Sequence, residues 1–210
     1  MPSRRKQPGD GPRPRVSPAE RRRQILAAAR SLFRSRGYAD TTPEAIAELA
    51  GVKPSTVGRH FPHKSDLFAG LYDQFHAAAL SPPEGGPGAD SLPFWLGLPA
   101  RFDKVAKTYR DVVGLVLRGL AEGSDADLTA AIGAGLGRTA DALVGLIRAG
   151  QAAGMVRRGI DPSRAAWEWV RWLFGGLLLK PTDAGPAPAD DDLPPQPADC
   201  LLHGLLKTDV

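Results

Sequence analysis

The sequence has a single cysteine and no long apolar run, and each of these shortages excludes a class of protein. One cysteine among 210 residues, Cys200, rules out a disulfide framework and a cysteine-based zinc site. The longest apolar run near the end, residues 173–179, has seven positions, whereas a membrane helix needs about 20. No apolar segment follows the basic N-terminus as it would in a secretory signal. We therefore expect a soluble, cytoplasmic protein that does not enter a membrane.

The motifs of common enzymes are also missing. The chain contains no G-x-S-x-G, H-E-x-x-H or Walker loop. Residues 133–137 read Gly-Ala-Gly-Leu-Gly, but they follow no strand and lack the dinucleotide spacing. His60 and His63 are separated by Pro62, which interrupts helical geometry, and no third ligand stands nearby. We predict no catalytic residues, no cofactor and no metal site.

Charge is unevenly distributed along the chain. Residues 1–66 carry 14 Lys and Arg against 6 Asp and Glu, whereas the remainder carries 13 against 17. A basic first third is typical of a head that binds a polyanion, although basic tails also occur on proteins that bind nothing anionic. Residues 1–16 have five basic side chains and almost nothing apolar, which predicts a disordered arm. That arm either contacts the same polyanion or is merely solvated.

Helix signals recur throughout, and no stretch alternates as a strand would. Ser17-Pro18, Thr42-Pro43 and Asp161-Pro162 each pair a capping side chain with proline at the first helical position. We predict an all-α fold with one domain at residues 17–80 and another at 90–210. Five glycines weaken the helix expected from Asp125 to about Ala153. Either that helix bends, or its small residues let another backbone approach.

The most informative window is residues 43–67 (PEAIAELAGVKPSTVGRHFPHKSDL). Gly51 separates two short helical patterns, as in a helix-turn-helix motif, which we place at about residues 41–61. A plain helical corner with a solvated face is the alternative. The basic balance and a face rich in hydrogen-bond donors favour DNA binding. That face comprises Lys53, Ser55, Thr56, Arg59 and His60.

Residues 18–76 resemble the TetR/AcrR family of transcriptional regulators. The resemblance rests on the first helix (RRRQILAAARSLFRSRGY), on AIAELAGV, and on STVGRHFPHKSDLF with its aromatic-proline-x-lysine stretch. It implies a three-helix DNA-binding head followed by a helical ligand-binding and dimerisation bundle. The family usually has tyrosine where this chain has Gly58, so one typical DNA contact is missing. The contacts implied are phosphate for Thr42, His60 and Lys64, and base edges for Lys53, Ser55, Thr56 and Arg59.

The resemblance also implies that the body binds a small apolar or amphipathic effector between its helices. Aromatic residues concentrate after residue 93, where ordinary core packing is the alternative role. We predict that four of them line the effector site: Trp95, Phe102, Tyr109 and Trp172.

Two apolar faces on residues 162–179 require two partners, and residues 200–206 are too short to form a stable helix alone. Both segments together predict a dimer interface, with a monomeric bundle as the alternative. The residues assigned to it are Ala166, Trp169, Val170, Leu173, Leu177, Leu201 and Leu205.

The sequence thus predicts a homodimeric regulator, usually a repressor, that binds a near-palindromic duplex and responds to a small molecule. The alternative is a helical ligand-binding or enzymatic protein whose N-terminal corner is only structural. The missing catalytic motifs count against this alternative.

Overall fold

The computed structural model describes residues 16–82, 85–178 and 206, and every regular element within them is an α-helix. The expected all-α class is therefore confirmed. Contacts divide the chain into two compact units, residues 1–62 and 63–210. In the described ranges the helices of the first unit are α1 (Pro18–Arg36), α2 (Pro43–Leu49) and α3 (Pro54–His60). Those of the second are α4 (Lys64–Leu80), α5 (Leu92–Thr108), α6 (Arg110–Glu122), α7 (Ala126–Ala152) and α8 (Pro162–Leu178).

The helices of the first unit begin and end where the capping chemistry of the sequence requires. Ser17 accepts a hydrogen bond from the Glu20 amide at 3.1 Å and starts α1. Gly37 ends α1 with φ of 86°, a backbone conformation that side chains with a Cβ rarely adopt. One face of α1 and the middle of α2 are buried, and they form the core of this unit: Ile25, Leu26, Ala29, Leu32, Phe33, Ile46 and Ala47.

The second unit is built around α4, which packs against α5, α6 and α7, while α8 packs against α7. Phe75, in the middle of α4, is 1% exposed and forms the centre of an aromatic cluster. Its ring meets others edge-on at centroid distances of 5.5 to 6.5 Å. The rings around it belong to Tyr72, Phe102, Tyr109 and Phe174.

The helix α7 runs unbroken from Ala126 to Ala152 despite its glycines. Gly135 lies against the ring of Tyr72, and Gly150 lies against Val156 and the ring of Trp95, so side chains rather than another backbone use the space that these two glycines leave. Among the described helices, α7 is the one long and apolar enough to cross a membrane by length and composition. Its buried residues run from Leu128 to Gly150 and, apart from the adjacent Thr139 and Ala140, recur at intervals of three or four, as on one face of a helix.

The units divide at residues 62 and 63, so α4 falls with the second unit. Its buried face packs on α5, α6 and α7, which accounts for that assignment. The domain limits predicted from the sequence, 17–80 and 90–210, stay predictions. The arm at residues 1–15 and most of the chain after residue 178 lie outside the described residues.

Candidate nucleic-acid interface

The helices α2 and α3 form a helix-turn-helix motif whose turn is set by Gly51. Thr42 caps α2 by accepting a hydrogen bond from the Ala45 amide at 3.2 Å. Gly51 follows α2 with φ of 64°, in the left-handed region that favours glycine. The Val52 amide then donates to the carbonyl of Ala47 at 2.9 Å, which closes the turn. This geometry brings the start of α3 directly after the end of α2.

One side of α3 is anchored in the first unit, and the other side is polar. Val57 is 1% exposed and Phe61, just after the helix, is 3% exposed. Both are apolar, so they fix which side of α3 faces inward. Ser55 and Arg59 lie opposite Val57 by helical spacing and are exposed. Lys53, which caps the helix, is also exposed, and Thr56 and His60 are partly so. The structure thus brings together the five donors that the sequence predicted on this helix.

The polar side of α3 carries donors and positive charge without acidic side chains of its own. In the described part of the chain, neither Lys53 nor Arg59 has an ion-pair partner. Arg59 stands one helical turn after Ser55, so both share one edge of the helix. Arginine can donate two parallel hydrogen bonds to a guanine edge, and lysine attracts phosphate as a point charge. This surface can therefore bind a polyanion and also distinguish its bases.

Arg22 of α1 is a residue that sequence reasoning missed. Its Nη1 donates a hydrogen bond to the carbonyl of His60 at 3.3 Å, and its guanidinium lies 4.3 Å from the centre of the Phe61 ring. The contact spans 38 positions, so no local pattern reveals it. The sequence did contain one signal of this contact. Arg22 lies three residues before Ile25 and so falls on the same face of α1 as the buried Ile25 and Ala29.

Two other predicted DNA contacts have different surroundings. The Thr42 hydroxyl is engaged as the cap of α2, and a cap at a helix N-terminus is still compatible with a phosphate contact. Lys64 begins α4, in the second unit. The predicted DNA roles of both residues stay predictions.

The four predicted effector residues fall into three places in the second unit. Phe102 and Tyr109 both contact the ring of Phe75. Trp95 is 1% exposed, donates from its indole nitrogen to the Ala89 carbonyl at 2.9 Å, and packs over Gly150. Trp172 meets the ring of Trp169 edge-on at 5.9 Å. The structure thus joins two of the four residues in one cluster, and the effector role of all four stays a prediction.

The predicted dimer residues on α8 turn out to be buried within the chain itself. Ala166, Trp169, Val170 and Leu173 are each between 0 and 4% exposed. Because α8 packs on α7, these side chains have apolar partners without a second subunit. An interface on α8 would therefore use a different face, where Trp167 is 43% exposed. Leu201, Leu205 and the side chain of Leu177 lie outside the described residues.

Possible metal ligands do not gather in one place. Among the described residues, no group of three or more His, Cys, Asp or Glu side chains could hold a metal ion. His63 is the N-cap residue of α4, and its backbone amide donates to the carboxylate of Asp66 at 2.8 Å as part of a capping box.

Comparison with known proteins supports this description of α2 and α3. Residues 25–71 match the family model described as bacterial regulatory proteins, tetR family. The chain is 46% identical to the HTH-type transcriptional regulator TtgR of Pseudomonas putida over 57 residues. This aligned segment makes up 27% of each of the two proteins. Over 107 residues it is 31% identical to the HTH-type transcriptional regulator TcmR of Streptomyces glaucescens, covering 51% of this chain and 43% of that protein. The chain therefore aligns with less than half the length of either relative.

Solved structures resemble a larger part of the chain. A complex of SmeT with triclosan superimposes with a TM-score of 0.60 at 22% identity, covering 90% of this chain and 93% of the other. GusR of Salmonella enterica gives a TM-score of 0.56 at 24% identity, covering 78% and 84%. At this level of identity the likeness shows the fold.

Proposed function

We propose that the chain is a sequence-specific DNA-binding transcriptional regulator, because its residues 25–71 match the TetR family of bacterial regulatory proteins and its N-terminal part is similar to regulators of that kind. The observation that carries the proposal is the polar side of α3. It presents Ser55 and Arg59 opposite the buried Val57, has Lys53, Thr56 and His60 nearby, and carries no acid. Base-edge contacts from Lys53, Ser55, Thr56 and Arg59 would supply specificity, and phosphate contacts from Thr42, His60 and Lys64 would supply affinity.

We further propose that the protein is a repressor released by a small hydrophobic or amphipathic effector. The cluster around Phe75 is an apolar, ring-lined region of the second unit of the kind that such ligands enter. A related solved structure is described as a SmeT–triclosan complex, and another as the repressor of a multidrug efflux pump of Stenotrophomonas maltophilia. Those descriptions concern those proteins, and they guide the choice of a first probe for this one.

A dimer in the cytoplasm completes the proposal. Two copies related by a two-fold axis would present two α3 helices to a near-palindromic duplex, with half-sites about 34–36 Å apart or somewhat more. The relatives are transcriptional regulators, which supports a DNA-binding role for this chain. We propose no catalytic step.

Selection of DNA by the purified full-length chain tests the proposal. The protein is incubated with a library of random duplexes, retained fragments are sequenced, and the enriched duplex is footprinted. We expect one enriched sequence with two-fold symmetry. No enrichment above random duplex would contradict the regulator proposal and favour the alternative in which the N-terminal corner is only structural.

The effector proposal has its own measurement. Affinity for the enriched duplex is measured with and without small aromatic compounds, beginning with triclosan, after their binding to the protein has been established by calorimetry. An effector that binds the DNA-free conformation better should weaken DNA binding by about 5- to 150-fold. If compounds bind the protein and leave its DNA affinity unchanged, the protein is a constitutive DNA binder.

A further inference from the structure

The helix α3 has few local features that stabilise it. It is seven residues long, and isolated helices shorter than about 12 residues are marginal in water. Its N-cap residue, Lys53, makes no side-chain hydrogen bond to the first turn. Gly58 lies inside the helix, where glycine is the least favourable residue after proline. The shape and direction of α3 therefore depend on contacts with the rest of the first unit.

Arg22 supplies such a contact at the C-terminal end of α3. The carbonyl of His60 is among the last four of the helix, which have no partner within the helix itself. The Arg22 Nη1 atom donates to that carbonyl at 3.3 Å, and its positive charge is favourable at this end of the helix dipole. The same guanidinium lies 4.3 Å from the centre of the Phe61 ring. One side chain thus contacts both the end of α3 and the residue that anchors it.

We propose that Arg22 is a positioning residue for DNA recognition. Through its contacts with the His60 carbonyl and the Phe61 ring, Arg22 stabilises the helical conformation of α3 and fixes the direction in which α3 presents Ser55 and Arg59. This inference rests on the proposed function, because it assigns a role to Arg22 in how α3 reads DNA. The opposite possibility is that Arg22, which is exposed, binds phosphate directly.

Arg23 is a matched control on the same helix. It is also an exposed arginine, and it forms an ion pair with Glu20, one turn earlier in α1. Replacing it removes an equal charge one residue away from Arg22. A variant of Arg23 therefore removes a positive charge and an exposed ion pair within α1, whereas a variant of Arg22 removes a positive charge and the contacts with α3.

Affinities of full-length Arg22→Ala and Arg23→Ala are measured on the duplex enriched by the wild-type protein and on a random duplex of equal length, over a range of salt. For Arg22→Ala we expect about a tenfold loss on the enriched duplex, equal to about 1.4 kcal/mol. We expect little change on the random duplex and an unchanged salt slope. Arg23→Ala should affect both duplexes little. If Arg22→Ala weakens both duplexes equally and flattens the salt slope by about one unit, Arg22 is a phosphate contact and the proposal is wrong.

Two further measurements separate positioning from general damage. Gly58→Ala should stiffen α3 independently, since its new methyl group meets nothing within 4 Å. The double variant Arg22→Ala/Gly58→Ala should recover part of the lost affinity for the enriched duplex. No recovery in a folded double variant would contradict the proposal.

Hydrogen exchange without DNA tests the same idea independently of DNA binding. The Phe61 amide donates to the Val57 carbonyl at 2.8 Å, and in Arg22→Ala it should exchange about tenfold faster than in Arg23→Ala. Equal exchange in both variants would overturn the proposal. If exchange changes as expected but the wild-type protein enriches no duplex, the proposed function fails and the structural role of Arg22 stands.

Discussion

The hydroxyl groups of Tyr72 and Thr139 lie 2.9 Å apart in a buried hydrogen bond that joins α4 to α7. The Thr139 hydroxyl also lies 3.1 Å from the Gly135 carbonyl, to which it donates. The Tyr72 ring covers Gly135 itself, so one side chain of α4 contacts two positions of α7. This pair therefore couples the helix that carries Phe75 to the longest helix of the second unit.

Tyr72→Phe should lower the free energy of unfolding by about 1 kcal/mol, the usual net value of a hydrogen bond. The Thr139 hydroxyl would keep its bond to Gly135, so no buried donor is left unpaired. Urea denaturation at neutral pH measures the change. Thr129→Ser is a suitable control, because it keeps the hydroxyl that bonds to the Asp125 carbonyl at the start of the same helix.

The same tyrosine should make stability depend on pH in alkaline solution. Burial raises the pKa of Tyr72 to about 12, against 10.0 in the unfolded chain. The folded state therefore favours the protonated phenol, and this stability is complete below pH 10 and is lost as the pH rises towards 12. Unfolding free energies measured across this range should fall more steeply for the wild-type protein than for Tyr72→Phe. Parallel curves would contradict the assignment.

His76 should make the stability of the protein fall as the pH is lowered in mildly acidic solution. Burial lowers the pKa of His76; the charge of Asp73 opposes this, while Arg138 lowers the pKa through its charge and raises it through a backbone hydrogen bond. Because the folded state favours the neutral ring, stability is present above the unfolded pKa of about 6.5 and is lost as the pH falls through the folded pKa. His76→Gln should flatten this dependence in urea titrations between pH 7 and pH 5.

Two glycines of α7 should respond to alanine in opposite directions. A Cβ at Gly135 would lie 2.9 Å from the Tyr72 ring, so we expect Gly135→Ala to destabilise the protein by about 1–3 kcal/mol through overpacking. A Cβ at Gly133 meets nothing within 4 Å, so Gly133→Ala should stabilise it by up to about 1 kcal/mol. Thermal unfolding of both variants tests the pair, and equal shifts would refute the packing of α7 described above.

The sequence predicts well those features that local chemistry decides. Ser17 and Gly37 bound α1 because capping and left-handed geometry depend on the residue itself. The turn at Gly51 was predictable for the same reason. The donors of α3 were identified because they share one short helix with the buried Val57.

Features that depend on distant segments could not be predicted in the same way. The glycines of α7 do not by themselves show whether the helix bends, because residues distant in sequence, such as Tyr72 and Trp95, pack against Gly135 and Gly150. The contact between Arg22 and His60 joins residues 38 positions apart. The apolar residues of α8 were assigned to a dimer, although helical spacing cannot distinguish a partner helix of the same chain from one of another subunit. The structure buries Trp169 and Leu173 within the chain.

The central claim is that α3 reads DNA sequence, and Arg59 tests it most directly. Arg59→Ala and Lys64→Ala are compared on the enriched duplex and on random duplex by anisotropy over a range of salt. For Arg59→Ala we expect a loss of about 1–3 kcal/mol confined mainly to the enriched duplex. For Lys64→Ala we expect equal losses on both duplexes and a salt slope flatter by about one unit. If Arg59→Ala weakens both duplexes equally, α3 does not read sequence and the account is contradicted.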